Sequence, residues 1–152
     1  MKYRKGISAI IINSQRKILL VNLTSFEHHF YAIPGGGIDE GETLEEAVYR
    51  EIQEELGIDP EYLNIEKKAT SSVKFDFKSG PLVRNGIKYK GQERRFFLVR
   101  FMGEDKDIHP NPEEVRKYTW STYTDLRIYL LFAGQLQTTQ EMIRELCPEI
   151  TL

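Results

Sequence analysis

The sequence lacks the features that mark exported and membrane-bound proteins. Its only cysteine, Cys147, has no partner for an intramolecular disulfide and no second cysteine for a metal site. The apolar run at residues 7–12 is too short for a signal-peptide core or a membrane span. We therefore expect a cytoplasmic protein that has no membrane as partner and keeps Cys147 as a buried thiol.

Neither sign of charge is in excess. The 21 Lys and Arg against 23 Asp and Glu give a formal net charge of −2, which excludes nucleic-acid binding through bulk positive charge but not a local basic pocket. Hydrophobic residues make up 40% and charged residues 29%, near the averages for globular domains. A length of 152 residues without repeat or linker predicts a single domain over residues 1–152 and leaves the oligomeric state open.

Short runs rich in β-branched residues predict most of the strands. They lie at residues 7–12, 17–23, 63–69, 71–77, 94–102 and 115–121. We also expect an extended stretch at residues 30–33 that ends before Pro34, followed by a loop over the triplet at residues 35–37. A hairpin at residues 82–89 should turn at Asn85-Gly86, and short helices are expected at residues 125–132 and 138–146.

The clearest helix covers residues 43–56, where no proline or glycine interrupts an apolar pattern of helical spacing. Thr43 should be its N-cap, with Glu46 three residues later completing a capping box. Gly57 stands where a left-handed residue commonly ends a helix. Both ends of the helix are therefore predicted from local sequence.

Three glutamates on this helix indicate a metal site. Glu51, Glu54 and Glu55 fall within an arc of about 100°, and Glu51 and Glu55 lie inside the stripe that faces the core. Such carboxylates repel one another, and we expect no Lys or Arg of the helix on their arc to neutralise them. A hard cation such as Mg²⁺ or Mn²⁺ would neutralise them, which indicates phosphate chemistry. The alternative is an ordinary solvated, glutamate-rich helix.

The surrounding residues favour the metal site. Residues 36–58 match the pattern G-x5-E-x7-R-E-U-x-E-E-x-G-U, where U is a bulky aliphatic residue, without a departure. This segment resembles the signature of the Nudix hydrolase family. The resemblance implies an α+β fold, an α/β/α sandwich in which a mixed β-sheet lies between helices and a loop–helix–loop presents the metal site. Arg50 and Glu42 are implied to orient the ligands and brace the helix. The implied ligands of Mg²⁺ or Mn²⁺ are Glu51, Glu54, Glu55 and the carbonyl oxygen of Gly35.

The implied reaction is attack of water on a phosphorus atom of a nucleoside diphosphate linked to a second group, with metal ions polarising the phosphoryl oxygens. The proton acceptor varies among Nudix enzymes, so the candidate bases are Glu54, Glu55 and Glu114. Residues 112–120 resemble a stretch of bacterial RNA 5′-pyrophosphohydrolases and dinucleoside polyphosphate hydrolases that carries an extra metal-ligating Glu before a Trp, which indicates Glu114. The alternative is that Glu113 and Glu114 are exposed acids before a strand. Trp120 is expected in the core.

Two shorter segments also resemble that subfamily, residues 91–97 and the opening Tyr3-Arg4. Arg4, Lys90, Arg94 and Arg95 are plausible phosphate or base contacts, since a guanidinium group can fork onto phosphate and stack on a base. The candidate substrate-binding residues are Arg4, Gln92 and Arg94. Strand alternation puts Arg94 and Arg95 on opposite faces, so at most one of them should face the site. Phe75 stands near a position where dinucleoside polyphosphate hydrolases often carry a Tyr, which leaves the choice of substrate open.

The favoured substrate is a dinucleoside polyphosphate or a 5′-triphosphorylated RNA end, a nucleotide-type partner in either case. One alternative is a housecleaning hydrolase for mononucleoside triphosphates, which would use the same metal site. Another is a Nudix-fold module that senses a nucleotide without cleaving it, although such a module usually loses glutamates that this chain keeps.

Overall fold

The computed structural model describes residues 2–77 and 80–152, and a β-sheet forms its centre. Five strands lie side by side in the order β4-β6-β1-β2-β7, while β3 pairs with β1 and β5 pairs with β6. The strands are β1 (Lys2–Ile12), β2 (Ile18–Leu23), β3 (Gly35–Gly37), β4 (Leu63–Asp76), β5 (Leu82–Arg84), β6 (Ile87–Phe101) and β7 (Val115–Ser121).

Strand β1 lies in the middle and is buried on both faces because its residues 7–12 alternate between two apolar cores. It runs parallel to β6 and antiparallel to β2 and β3. Helix α1 (Leu44–Leu56) contributes to one core, and α2 (Leu126–Tyr129) and α3 (Gln135–Leu146) contribute to the other. The predicted α+β fold, a mixed sheet between helices, is therefore confirmed.

Helix α1 begins and ends where the sequence predicts. The Thr43 Oγ1 accepts a hydrogen bond from the Glu46 N–H at 3.1 Å, and a Glu46 carboxylate oxygen accepts one from the Thr43 N–H at 2.9 Å. Gly57 ends the helix with a φ of 59°, in the left-handed region. The helix buries Ile52 and Leu56 against the sheet, and this packing fixes which of its faces turns inward.

The glycine triplet forms strand β3 rather than the expected loop. Gly35, Gly36 and Gly37 pair with Ser8, Ile7 and Gly6 of β1. A Cβ atom on Gly35 would stand only 2.2 Å from the carbonyl oxygen of Ile7. Glycine therefore serves here to let two backbones approach closely, not to bend the chain.

The strand expected at residues 30–33 is reduced to a single bridge between Ala32 and Val21. After this bridge the chain pairs with β1 as strand β3.

Three other predicted boundaries are wrong. β1 begins at Lys2 instead of residue 7, because its first residues pair with β6. The two strands expected at residues 63–77 are one strand, whose pairing with β6 shifts twice through bulges. The hairpin turn at Asn85-Gly86 is confirmed by positive φ angles of 51° and 77°, but its second strand continues without a break into residues 94–101.

The C-terminal helices also differ from expectation, since α2 has only four residues and α3 begins at Gln135. Trp120 is half-buried, stacks on Phe101 and donates its indole N–H to Asp105 at 2.9 Å, so it lies at the border of the core. Cys147 is buried as expected, and burial raises the pKa of its thiol to about 11. Among the described helices, none is long and apolar enough to cross a membrane.

Candidate active site

An open, acidic pocket of about 620 Å³ lies between helix α1, strand β3 and the loop before β7. Its acidic lining comes from two distant parts of the chain, residues 39–55 and the turn before Val115. The pocket thus brings glutamates of residues 36–58 together with Glu113 and Glu114. Its carboxylates belong to Asp39, Glu51, Glu54, Glu55, Glu113 and Glu114.

Glu55 is the most enclosed of these acids, with 7% of its surface exposed. The Gly35 N–H donates a hydrogen bond to its Oε1 at 3.2 Å. Burial raises the pKa of Glu55 to about 8, and the neighbouring carboxylate of Glu51 adds to the increase, with a smaller contribution from Glu114. A buried carboxylate with a raised pKa attracts a cation or a proton, and such groups are typical of functional sites.

Glu51 lies beside the glycine strand, close to the backbone of Gly36. A Cβ atom on Gly36 would stand 2.5 Å from the Glu51 carboxylate carbon, so any other residue would displace that carboxylate. Burial raises the pKa of Glu51 above its ordinary value, although the adjacent Arg50 opposes this. The backbone of the glycine strand β3 therefore lies directly beside the carboxylates of Glu51 and Glu55.

Arg50 organises the outer part of the pocket. Its guanidinium donates two hydrogen bonds to Glu42, at 2.7 and 2.9 Å, and one to the carbonyl oxygen of Gly37 at 2.8 Å. It also donates to Glu51 at 2.9 Å and to Glu54 at 3.2 Å. The hydrogen bonds from Arg50 lower the pKa of Glu42 below its ordinary value.

The expectation that no cation of the helix lies on the arc of the glutamates is wrong. Residues 50 and 54 are one helical turn apart, so the Arg50 side chain reaches the carboxylates that flank it. A further cation comes from strand β6, where Arg94 acts electrostatically on Glu55 and Glu51. The acids are therefore partly compensated by two arginines, one from the helix and one from the sheet.

Two candidate substrate contacts from the sequence, Gln92 and Arg94, lie together on β6. The Arg94 Nε donates to Gln92 Oε1 at 2.6 Å, and Nη1 lies 3.4 Å from the Ser8 hydroxyl. Burial lowers the pKa of the Arg94 guanidinium, while the carboxylates of Glu55 and Glu51 oppose that change. Arg4 and Gln92 line the acidic pocket, and Arg94 lines the adjoining apolar cavity.

Arg95 takes no part in either cavity. Its Nε donates to the Ser72 hydroxyl and its Nη1 to the Ala69 carbonyl, both at 3.2 Å, whereas Arg94 lines the apolar cavity. This separation agrees with the prediction that at most one of the two arginines faces the site.

Glu114 is held against the pocket by a loop after β2. The Thr24 N–H donates to the Glu114 carbonyl at 2.9 Å. Arg116 donates to Asn22 and to the carbonyl oxygens of Thr24 and Phe26. Asn22, which is fully buried, donates in turn to two further carbonyls of the same loop. This network fixes one wall of the pocket relative to Glu114, and nothing in the local sequence of Asn22 or Arg116 announces it.

A second cavity of about 560 Å³ adjoins the acidic pocket and is mainly apolar. Leu23 and Glu55 line both, so the buried carboxylate stands at the junction of the two spaces. Sequence reasoning missed most of the residues of this cavity because they come from separate segments and form no motif. Its aromatic lining consists of Phe26, Phe75, Phe77, Phe96 and Phe132.

The donor set of the acidic pocket fits a hard divalent cation. It consists of carboxylate oxygens, two of them on glutamates whose pKa burial raises, beside a glycine strand that leaves space for the Glu51 carboxylate. In the described parts of the chain, no three His, Cys, Asp or Glu side chains are grouped tightly enough to hold an ion. Glu51 and Glu54 both accept hydrogen bonds from the Arg50 guanidinium.

Comparisons with known proteins agree on the family and the fold of the chain. A model of the NUDIX domain matches residues 2–146. The chain is 33% identical over 128 residues to the RNA pyrophosphohydrolase of Wolbachia pipientis subsp. Culex pipiens (strain wPip), a match that covers 82% of this chain and 78% of that protein. It is 32% identical to the RNA pyrophosphohydrolase of Rickettsia typhi, with 95% and 90% covered. A solved C. elegans Ap4A hydrolase shares the fold, with a TM-score of 0.66, 21% identity and 93% and 98% of the two chains covered.

Proposed function

Because the chain belongs to the NUDIX family and is a pyrophosphohydrolase, we propose that it uses Mg²⁺ or Mn²⁺ to cleave a phosphoanhydride bond in a nucleoside diphosphate linked to a second group. The proposed substrate is a 5′-triphosphorylated RNA end or a dinucleoside polyphosphate. Relatives named RNA pyrophosphohydrolase, about 30% identical over most of the chain, support the first. The fold shared with an Ap4A hydrolase is compatible with the second.

The position of Glu55 carries the proposal. This buried carboxylate stands at the junction of an acidic pocket and an apolar cavity. A substrate that carries both a polyphosphate and a base could bind across the two spaces. The acidic pocket alone would suit a metal ion without a substrate. The apolar cavity alone would suit many small molecules. Their contact at one titratable side chain favours a nucleotide.

In the acidic pocket Glu51, Glu54 and Glu55 would hold the cation, with Glu114 and the carbonyl oxygen of Gly35 as further donors. The bound cation would polarise a phosphoryl oxygen and lower the pKa of the attacking water. Arg50 braces the ligands through Glu42 and the Gly37 carbonyl, so its role is to position them.

A proton must leave the attacking water, and the candidate acceptors are Glu54, Glu55 and Glu114. Among Glu51, Glu54 and Glu55, Glu54 is the most exposed, with half of its side-chain surface accessible, so it can reach both the substrate and solvent.

Three polar side chains are proposed to orient the substrate. Arg4 and Gln92 line the acidic pocket and can contact phosphate oxygens. Arg94 lies between the carboxylates and the ring of Phe75, whose centroid is 5.7 Å from the guanidinium carbon. A base in the apolar cavity would therefore contact an aromatic ring while its phosphates contact cations.

A substrate panel tests the proposal. Purified protein is incubated with a 5′-triphosphorylated RNA oligonucleotide, a dinucleoside tetraphosphate and each deoxynucleoside triphosphate, and the products are separated by chromatography. We expect cleavage of one of the first two substrates in Mg²⁺, no cleavage in EDTA, and recovery when Mg²⁺ is restored. A rate on free deoxynucleoside triphosphates far above both other rates would show the housecleaning activity instead. Full activity after removal of divalent cations would refute the metal site.

A further inference from the structure

A basic hairpin stands next to the acidic pocket, and the proposed reaction makes no use of it. It consists of β5 and the first residues of β6, joined by the turn at Asn85-Gly86, and we call residues 82–90 the basic hairpin. Its apolar side chains are exposed, with 45% of Leu82, 64% of Val83 and 40% of Ile87 accessible. Exposed apolar residues on a two-stranded arm indicate a binding surface, since none of the described residues, 2–77 and 80–152, covers them.

The charge of the basic hairpin differs in sign from that of the whole chain. Arg84, Lys88 and Lys90 carry positive charge, and no acidic residue occurs between positions 80 and 92, in a protein whose net charge is −2. Within residues 2–77 and 80–152, none of these three cations forms an ion pair. Unpaired cations beside a polyphosphate site attract an anion that extends beyond that site.

Lys74 of β4 extends the positive surface of the hairpin next to Lys90. The Lys90 Nζ lies 4.9 Å from the centroid of the Tyr3 ring, and the Lys74 Nζ lies 5.3 Å from the same centroid. The Tyr3 hydroxyl donates to Asp76 at 2.7 Å, which holds the ring in place between the two strands. Cations and an aromatic ring grouped across β4, β6 and β1 are components that bind single-stranded nucleic acid.

The basic hairpin is continuous with the acidic pocket through Arg84. This residue lines that pocket together with Arg4 and Gln92, while the rest of the hairpin leads away from it. A substrate held by its terminal phosphates in the pocket would meet Arg84 first. The register pairs Arg84 with Ile87 and Val83 with Lys88, so Arg84 and Lys88 lie on opposite faces of the hairpin. A substrate with further phosphates would therefore cross the edge of the hairpin to reach Lys88 and Lys90.

We propose that the basic hairpin binds the single-stranded RNA chain that follows a 5′-triphosphate. The inference rests on the proposed function and narrows it, because a dinucleoside polyphosphate has no phosphodiester chain for the lysines to contact. Leu82 and Ile87, on the face of Arg84, contact the nucleotides nearest the pocket. Lys88 and Lys90 contact the backbone phosphates beyond them, and Val83, on the face of Lys88, contacts a base or ribose there. The hairpin thereby favours RNA ends over free nucleotides without contributing to the chemistry.

A binding experiment tests the surface independently of hydrolysis. A fluorescent 5′-hydroxyl RNA octamer, which has no phosphoanhydride to cleave, is titrated with wild-type protein and followed by anisotropy. We expect Lys88→Gln/Lys90→Gln to bind roughly tenfold more weakly and to lower the slope of log affinity against log salt by about 1.4, since each single-strand phosphate contact accounts for about 0.7. Arg16→Gln/Arg127→Gln, a matched loss of two exposed cations outside both cavities, should bind like wild type.

A kinetic experiment tests the consequence for substrate choice. We expect Lys88→Gln/Lys90→Gln to raise KM for a 5′-triphosphorylated octamer about tenfold, with kcat unchanged, and to leave the kinetics on a dinucleoside tetraphosphate as in wild type. Lys88→Arg/Lys90→Arg should restore the wild-type KM. Equal RNA affinity and equal KM in the Gln variant and in wild type would overturn the inference, and so would an equal loss on both substrates.

The experiments distinguish a failure of the proposed RNA substrate from a failure of the proposed RNA-binding hairpin. If wild type binds the 5′-hydroxyl octamer through the two lysines but cleaves no triphosphorylated RNA, the RNA substrate of the proposed function is wrong and the RNA-binding hairpin stands. If wild type cleaves triphosphorylated RNA but the lysines affect neither binding nor KM, only the hairpin assignment is wrong. Light scattering adds a third outcome, because a dimer that Val83→Lys dissociates would assign the exposed apolar residues to a second copy and overturn the inference.

Discussion

The acidic pocket and the apolar cavity meet at Glu55, yet they are built in different ways. The largest share of the acidic pocket that comes from one stretch of sequence belongs to β3, α1 and the loop between them. The apolar cavity takes residues from β1, β4, β6 and the segment before α3, which meet only in the folded protein. The proposed cation ligands are therefore encoded mainly in one local segment, whereas the residues proposed to select the substrate meet only in the folded protein.

The largest effect should come from the acidic pocket. Glu54→Gln removes one charge from the proposed ligand set, and we expect kcat to fall about a thousandfold on every substrate, since a bound cation contributes several kcal/mol to the stabilisation of the transition state. Steady-state rates at saturating Mg²⁺ measure this. Glu45→Gln, an exposed acid of the same helix outside both cavities, is the control and should keep the wild-type rate. An unchanged kcat in Glu54→Gln would contradict the metal site.

A smaller effect is expected at the residue that positions the ligands. Arg50→Lys keeps the charge but cannot hold Glu42, the Gly37 carbonyl and Glu51 at once, so the Mg²⁺ concentration for half-maximal activity should rise about 10- to 100-fold. A Mg²⁺ titration of the initial rate measures the change. Arg127→Lys in α2 is the matched control. A lower kcat at saturating Mg²⁺ with unchanged Mg²⁺ dependence would show that Arg50 acts on the substrate instead.

The apolar cavity should respond in KM. Phe75→Leu removes the ring next to Arg94, and we expect KM to rise about tenfold with kcat within twofold, because stacking of a base on an aromatic side chain contributes about 1–3 kcal/mol. Phe75→Tyr retains the ring and should keep the wild-type KM. Steady-state kinetics on the best substrate of the panel measure both variants. If Phe75→Leu lowered kcat and left KM unchanged, the assignment of the apolar cavity to substrate binding and of the acidic pocket to the chemistry would be wrong.

The smallest effect concerns stability at the junction. The pKa of Glu55 is raised to about 8 in the folded, metal-free protein, from a value near 4.5 in the unfolded chain. The protonated carboxyl therefore contributes fully to the free energy of unfolding below about pH 4.5, and this contribution is lost as pH rises through 8. In EDTA, Glu55→Gln should therefore melt a few degrees above wild type at pH 8, with a smaller difference at pH 5. Added Mg²⁺ should stabilise wild type more than the variant. Thermal unfolding followed by circular dichroism tests both, and a variant that melts below wild type in EDTA at pH 8 would contradict the burial cost.

Sequence patterns predicted the helix and its glutamates because the information is local. Thr43, Glu46 and Gly57 fix the ends of α1 through contacts within one turn, and the spacing of Glu51 and Glu55 fixes their shared face. The role of the glycine triplet was not predicted, because a loop and a closely paired strand both favour glycine. Only the 2.2 Å approach to the Ile7 carbonyl distinguishes them.

Partners that meet across the sheet were predicted less well. Gln92 and Arg94 were indicated by a short resemblance, but their hydrogen bond and the distance of Arg94 from Phe75 depend on the pairing of β6 with β4 and β1. The contacts of Asn22 with Arg116 join positions 94 residues apart, and neither residue belongs to a pattern. Such contacts depend on register, which sequence periodicity does not specify.

By itself, the sequence determined the strand-rich organisation, the capped helix and a set of glutamates suited to a cation, since all of these depend on residues within a few positions of one another. The tertiary structure decided which carboxylate is buried, which arginines compensate the acids, and that an apolar cavity and a basic hairpin adjoin the same pocket. The physical reason is that burial and charge compensation arise between segments distant in sequence. They appear only when the sheet brings those segments together.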